Sequence, residues 1–125
     1  MARYAHLPIW KAAIDLAVHL EKAVRRFPRY HKYSLGSDLR QCARRLCRLV
    51  TRANEARAEA RGKVLDELVL SVEDMKTLLT LAQETHAFGS FNEFATAADL
   101  AVSLGKQSGG WRRRVRPEAP SRVSP

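Results

Sequence analysis

An all-α fold, an antiparallel up-down-up-down four-helix bundle, is predicted by three observations on the 125-residue chain. Apolar residues recur at helical spacing in four segments, no segment alternates as a half-buried strand does, and the connections are short. Hydrophobic residues make up 46% of the chain, enough for a core and too many for wholesale disorder. The length suits one domain.

The first segment runs from Pro8 to Phe27, with the stripe Trp10, Ala13, Ile14, Ala17, Leu20, Val24 and Phe27. Pro8 fits a first helical turn, where its missing N–H is harmless. Pro28 closes the segment, because a proline pushes the residue before it out of helical geometry. The second segment spans Ser34 to Arg57, with Leu39, Cys42, Ala43, Leu46, Leu49, Val50 and Ala53 all within about 60° of Leu46 on a helical projection. Ser34 or Ser37 is placed to cap it. The third is entered after Gly62 and runs from Lys63 to Thr85. Its Leu65, Leu68, Val72, Met75, Leu79 and Ala82 keep the 3-4-3-4 spacing of a bundle seam. The fourth runs from Phe91 to Gln107 behind a Ser90–Glu93 capping box, with the stripe Phe91, Phe94, Ala95, Ala98, Ala101 and Val102. Gly109, Gly110 and Trp111 end the helical part. The expected organisation is a bundle domain over residues 1–111 and a basic, disordered tail over 112–125.

Composition excludes several classes. No apolar run reaches the ~20 residues of a membrane span. The opening MARYAHLPIWK is unlike a secretory signal, and two cysteines cannot make a disulfide framework, so a reduced cytoplasmic setting is expected. Cys42 and Cys47 diverge on their helix and should not bridge. No two of His6, His19, His31 and His86 have metal-ligand spacing on one helix, and no Glu-x-x-His pair suits a di-metal bundle. Asp15 and His19 are read as a surface pair. No catalytic residue, metal or cofactor is expected.

The net charge of +9 is uneven. Residues 1–61 carry 14 basic and 5 acidic side chains, residues 62–111 carry 3 and 7, and residues 112–125 carry 5 and 1. A basic excess points to a polyanionic partner. The strongest feature is an arginine face on the second helix. Arg40, Arg44, Arg48 and Arg52 are four apart, with Arg45 beside them, in an arc of about 140° opposite Leu46. Like charges at that spacing repel, and nucleic-acid phosphates would relieve them through bidentate contacts. The alternative is a solvated face, or one paired with acids of another subunit. A second cluster, Arg25, Arg26, Arg29 and Lys32, surrounds the turn after the first helix. Tyr30, His31 and Tyr33 lie among these residues, either to stack on unpaired bases or to pack under the loop. Arg112, Arg113 and Arg114, with Arg116 beyond, are either an electrostatic arm or a solvated end. Leu70, Leu78 and Leu81 project away from the Val72 seam and are read as a subunit interface.

Four stretches carry a family resemblance: LPIWKAAIDL (7–16), FPRYHKYSLGSDLR (27–40), TRANEA (51–56) and LGKQSGGWRRR (104–114). They resemble the accessory variability determinant proteins of diversity-generating retroelements, over about residues 7–114. The FP…KYSLG turn and the terminal GGW are the most specific parts. A wider relative is the four-helix-bundle family encoded in intervening sequences of large-subunit rRNA genes. That family usually carries a SIPSNIAEG-like run where this chain reads LCRLVTRANEA, which favours the accessory branch. The resemblance implies a homopentameric barrel with a basic surface and no catalytic site of its own. It also implies partnership with the retroelement reverse transcriptase and with template RNA or an RNA–cDNA hybrid during mutagenic retrohoming. A protein–protein scaffold that binds no nucleic acid is the competing expectation.

Overall fold

A computed structural model describes residues 7–115, and these form α1 (Pro8–Val24), α2 (Arg29–Lys32), α3 (Leu35–Glu55), α4 (Ala58–Glu84) and α5 (Phe91–Arg114). The described residues are all helix and connection, with no strand. The four long helices close a square in which α3 packs on α1 and α4, and α5 on α4 and α1. Contacts between neighbours join opposite halves of their helices: Glu21 to Arg40, Ala53 to Arg61, Asp66 to Arg112. Consecutive helices are therefore antiparallel.

Leu16, Leu20, Leu39, Leu46, Leu49, Leu65, Leu68, Met75, Leu79 and Leu104 form the fully buried centre. The α4 seam is buried at all six expected positions, and the α3 stripe at all but Cys42, which is half-buried with its Sγ 3.6 Å from the Ser71 carbonyl. The α1 stripe is turned from the one expected. Ile9, Ala12, Ala13, Leu16, Leu20 and Ala23 are buried, whereas Trp10, Ile14 and Ala17 are half-buried on the flank towards α3. A helix in a square bundle points its midline between its two neighbours, so the bulkiest flank need not be the centre. The α5 stripe is turned by roughly a quarter turn. Ala97, Ala101, Leu104 and Ser108 are buried, Val102 is exposed, and Phe91 is 69% exposed at the helix start.

Three boundaries also differ. α1 stops at Val24, and residues 29–32 form an unexpected single turn whose first carbonyl, from Pro28, accepts from His31 and Lys32 at 2.9 and 3.0 Å. α4 begins at Ala58, after only Ala56 and Arg57 in extended geometry, so Gly62 lies inside the helix. α5 runs through Gly109 and Gly110 to Arg114, not ending near Gln107. Two helical glycines cost about 1 kcal/mol each relative to alanine. Packing outweighs that cost: Trp111 lies on the core, and Arg112 Nε donates to Asp66 Oδ1 at 2.6 Å with its guanidinium over Gly62. Arg112, Arg113 and Arg114 therefore belong to a helix rather than to the start of a disordered tail. The rest of the expected tail, residues 116–125, lies outside the described residues, as do residues 1–6.

The corner between α1 and α3 explains the KYSLG turn. Phe27 and Leu35 are buried, and Phe27 meets Phe88 edge-on at 5.1 Å between ring centroids. A β-carbon on Gly36 would stand 2.7 Å from Val24 Cγ1 and 3.3 Å from the His31 carbonyl oxygen, so only glycine lets α3 start so close to α1. Ser34 occupies the N-cap position but does not cap α3. Its hydroxyl donates back to the Tyr30 carbonyl at 3.2 Å. Ser37 lies within the helix. At α5 the Ser90 hydroxyl does accept from the Glu93 amide at 3.2 Å, but the Glu93 carboxylate pairs with Arg26 rather than closing the box.

Candidate nucleic-acid interface

α3 turns its Leu46 side to the core, and the same periodicity carries its arginines outward. They are not uniformly uncompensated. Arg40 Nε donates to Glu21 Oε2 at 2.9 Å, and Arg44 Nη2 to Glu21 Oε1 at 2.8 Å, so one α1 carboxylate bridges two arginines. Burial pushes the Glu21 carboxyl up, but hydrogen bonds and charge from Arg40 and Arg44 outweigh it and hold it below the usual range. Arg45, on the other flank, donates to Ser71 Oγ at 3.2 Å and Glu67 Oε2 at 3.3 Å. The stack of five unpaired guanidiniums expected from the sequence is thus reduced to two. Arg48 and Arg52 are exposed and have no ion pair or side-chain hydrogen bond among the described residues. They flank a shallow apolar groove of about 390 Å³ floored by Trp10, Ile14, Cys47 and Thr51.

The second cluster divides similarly. Arg26 is tied to Glu93 across the bundle, whereas Arg25 and Arg29 are exposed without a carboxylate partner among the described residues. Arg25, Lys32 and Arg40 line one small cleft with Glu21, which joins this cluster to the α3 face. Among the described residues Glu21 is the single acid of that cleft. Tyr30 and Tyr33 are exposed, so neither packs under the loop, and Tyr30 meets His31 edge-on at 5.0 Å. The Asp15–His19 pair does not form. Asp15 accepts from Lys11 at 2.7 Å, and His19 Nε2 lies 2.7 Å from the Glu93 carbonyl.

Of the tail arginines, Arg112 is held by Asp66, while Arg113 and Arg114 are exposed and fold back over Gly109 and Gly110. Leu70 and Leu81 are 67% and 50% exposed on the outer face of α4. Leu78 is turned away from them, half-buried in the α3–α4 groove beside Cys42 and Arg45.

The sequence missed one basic site. At the end of the bundle where α1 begins and α5 finishes, a cleft of about 460 Å³ gathers Arg61, Lys106 and Arg114, with walls from Leu7, Ile9 and Trp111. Arg61 Nε and Nη2 donate to the Ala53 and Asn54 carbonyls at 2.8 and 3.2 Å, capping α3. Arg61 is on α4 and Lys106 and Arg114 are on α5; of the three only Arg114 sits in a local charge run, so spacing alone did not bring them together.

Among the described residues no helix is long and apolar enough to cross a membrane, and no cluster of three metal-ligating side chains occurs. Cys42 and Cys47 are free thiols. In comparison with known proteins, a family model described as bAvd-like matches residues 9–115. No curated protein matches the chain.

Proposed function

The chain belongs to the bAvd-like family, and from that premise we propose that it is a non-enzymatic accessory protein of a diversity-generating retroelement, acting in the cytoplasm. In this role it binds single-stranded template RNA, or the RNA–cDNA hybrid made from it, and presents it to the reverse transcriptase. The polymerase carries the chemistry. The observation that supports nucleic-acid binding most directly is the pair Arg48 and Arg52, which have no carboxylate partner among the described residues. Two guanidiniums one helical turn apart repel in the free protein, and a phosphate backbone supplies the missing counter-charge. Arg25, Arg29 and Lys32 extend the basic surface towards exposed Tyr30 and Tyr33, which are placed to stack on unpaired bases.

Five copies around a ring would repeat this surface and supply avidity from modest single sites. Leu70 and Leu81 are the apolar contacts proposed for that ring, since α4 leaves both to solvent in the single chain. The bundle acts as one domain, and the exposed Arg113 and Arg114 at the end of α5 extend its electrostatic surface.

Filter binding of single-stranded RNA at two salt concentrations tests the interface. Arg48→Glu combined with Arg52→Glu should abolish binding without loss of helicity. Affinity in the unaltered protein should fall steeply with salt, by about 0.7 log units of affinity per log unit of salt for each phosphate contacted. Unchanged RNA affinity in the double variant sinks the α3 face as the binding surface. A protein–protein role without nucleic acid has one feature in its favour, the apolar floor between Arg48 and Arg52, which suits an acidic, apolar segment. Loss of reverse-transcriptase capture in the double variant, with RNA binding intact, would select that role.

A further inference from the structure

We propose that the cleft between the start of α1 and the end of α5 is a binding site for a nucleoside monophosphate, supplied free or as the 5′-phosphorylated end of a nucleic-acid strand. It shares no residue with the α3 face and does not depend on that face binding RNA.

The charge comes from two helices. Arg61 stands on α4, and Lys106 and Arg114 on α5, and no carboxylate among the described residues lines the cleft. Lys106 and Arg114 have no acidic partner among the described residues. Arg61 is held in place by the α3 carbonyls through two of its five donors, leaving three to point at a ligand. α1 adds to this field. Its first turn contains no acidic residue, its N-cap Leu7 offers no side-chain acceptor, and Leu7, Pro8 and Ile9 all line the cleft. Among the described residues no acid compensates the positive end of its dipole at the same place.

The shape restricts the anion. About 460 Å³ is room for one nucleotide, not for a duplex or a stretch of strand. Leu7, Ile9 and Trp111 supply apolar walls for a planar base. Asn54 and Gln107 bring amide groups that can both donate and accept along its edge. Gly110 has no side chain to fill the floor. Three cations suit a terminal phosphate monoester, which carries about −1.5 to −2 at neutral pH, better than an internal diester with a single charge. An open cleft of one-nucleotide size beside a basic bundle would thus fix an end, while the α3 face follows the strand.

Isothermal titration of the full chain tests this with AMP, adenosine and a 5′-phosphorylated tetranucleotide beside its 5′-hydroxyl counterpart. AMP should bind at least about tenfold more tightly than adenosine, and Lys106→Glu combined with Arg114→Glu should weaken AMP by about tenfold or more with helicity unchanged. A phosphorylated tetranucleotide that outbinds both AMP and its hydroxyl counterpart assigns the strand end. AMP binding at least as tightly as the tetranucleotide assigns the free nucleotide. Arg48→Glu/Arg52→Glu should leave AMP binding intact even where RNA binding is lost, which separates the two sites. Equal affinity for AMP and adenosine, AMP affinity unchanged in the charge-reversed variant, or no binding of AMP or phosphorylated tetranucleotide at millimolar concentration would each overturn the proposal.

Discussion

Glu21→Gln is expected to tighten RNA binding while weakening the fold. Glu21 bridges Arg40 and Arg44 and is the single acid in the cleft that also holds Arg25 and Lys32. Glutamine keeps the shape and an oxygen acceptor but removes the charge, so two guanidiniums become available to phosphate. Each added phosphate contact on a single strand steepens the salt dependence by about 0.7, so two contacts add about 1.4. At 0.1 M salt that corresponds to a gain of roughly fivefold for one contact and roughly 25-fold for two. The cost to the fold is two partly exposed ion pairs, about 0.2–1 kcal/mol each after screening. Because Glu21 is held below its usual pKa, its contribution is present above the ordinary carboxylate range. That contribution is lost as pH falls through the depressed value, and the stability difference between the two proteins should vanish in acid. Filter binding across a potassium chloride series gives the slope, and thermal melts at neutral and acid pH give the stability. A Glu21→Gln protein with an unchanged or shallower salt slope would refute the idea that this carboxylate competes with phosphate for Arg40 and Arg44.

Further outcomes follow from packing and burial. Gly36→Ala should destabilise by about 1–3 kcal/mol in chemical denaturation, because its β-carbon meets Val24 Cγ1 and the His31 carbonyl. His86→Gly should do the opposite. His86 has φ 58° where α4 ends in a Schellman turn, with the Ala87 amide on the Ala82 carbonyl at 2.9 Å and the His86 amide on Gln83 at 3.1 Å. Relief of left-handed strain, less the entropy of glycine, should leave a gain of about 0.5–1 kcal/mol in the same assay. Cys42 is pushed up to about 11, chiefly by burial. Iodoacetamide at pH 8 should modify it about a hundredfold more slowly in the native protein than in guanidinium. Stability should also decline as pH climbs from about 9 to about 11, where the unfolded chain ionises that thiol first.

Residue spacing alone was enough to read the α4 seam, because strict 3-4-3-4 placement of large side chains admits one inward direction. It was not enough for α1 and α5. Ile9 and Leu16 compete with Trp10 and Ile14 for the inward face, and only the directions of the flanking helices decide. The small residues of α5 gave a broad, weak stripe, and Leu104 and Ser108 were decisive only once the helix was known to continue past Gly110. Gly109–Gly110 misled for a physical reason, since local propensity yields to the Trp111 and Arg112 contacts. The arginines of α3 were legible as a face, but their partners were not. Glu21 lies 19 residues from Arg40 and meets it only through the α1–α3 packing angle. The end cleft gave little local signal: Arg114 stands in the Arg112–Arg114 run, but nothing in the sequence joins it to Arg61 on α4 or to Lys106 two turns earlier.

An even number of antiparallel helices brings Leu7 and Val115 to the same pole of the molecule, beside Arg61 and Trp111. The described chain enters the bundle at Leu7 and leaves it at Val115, at the end that holds the cleft, whereas the opposite pole, with Phe27, Tyr30 and Tyr33, is remote from both points. A protein tethered rigidly at Leu7 or Val115 themselves would therefore offer the tyrosine pole to solution and crowd the cleft. Surface-based measurements on a tethered chain and free-solution measurements on an untagged one should sample different sides of the same bundle.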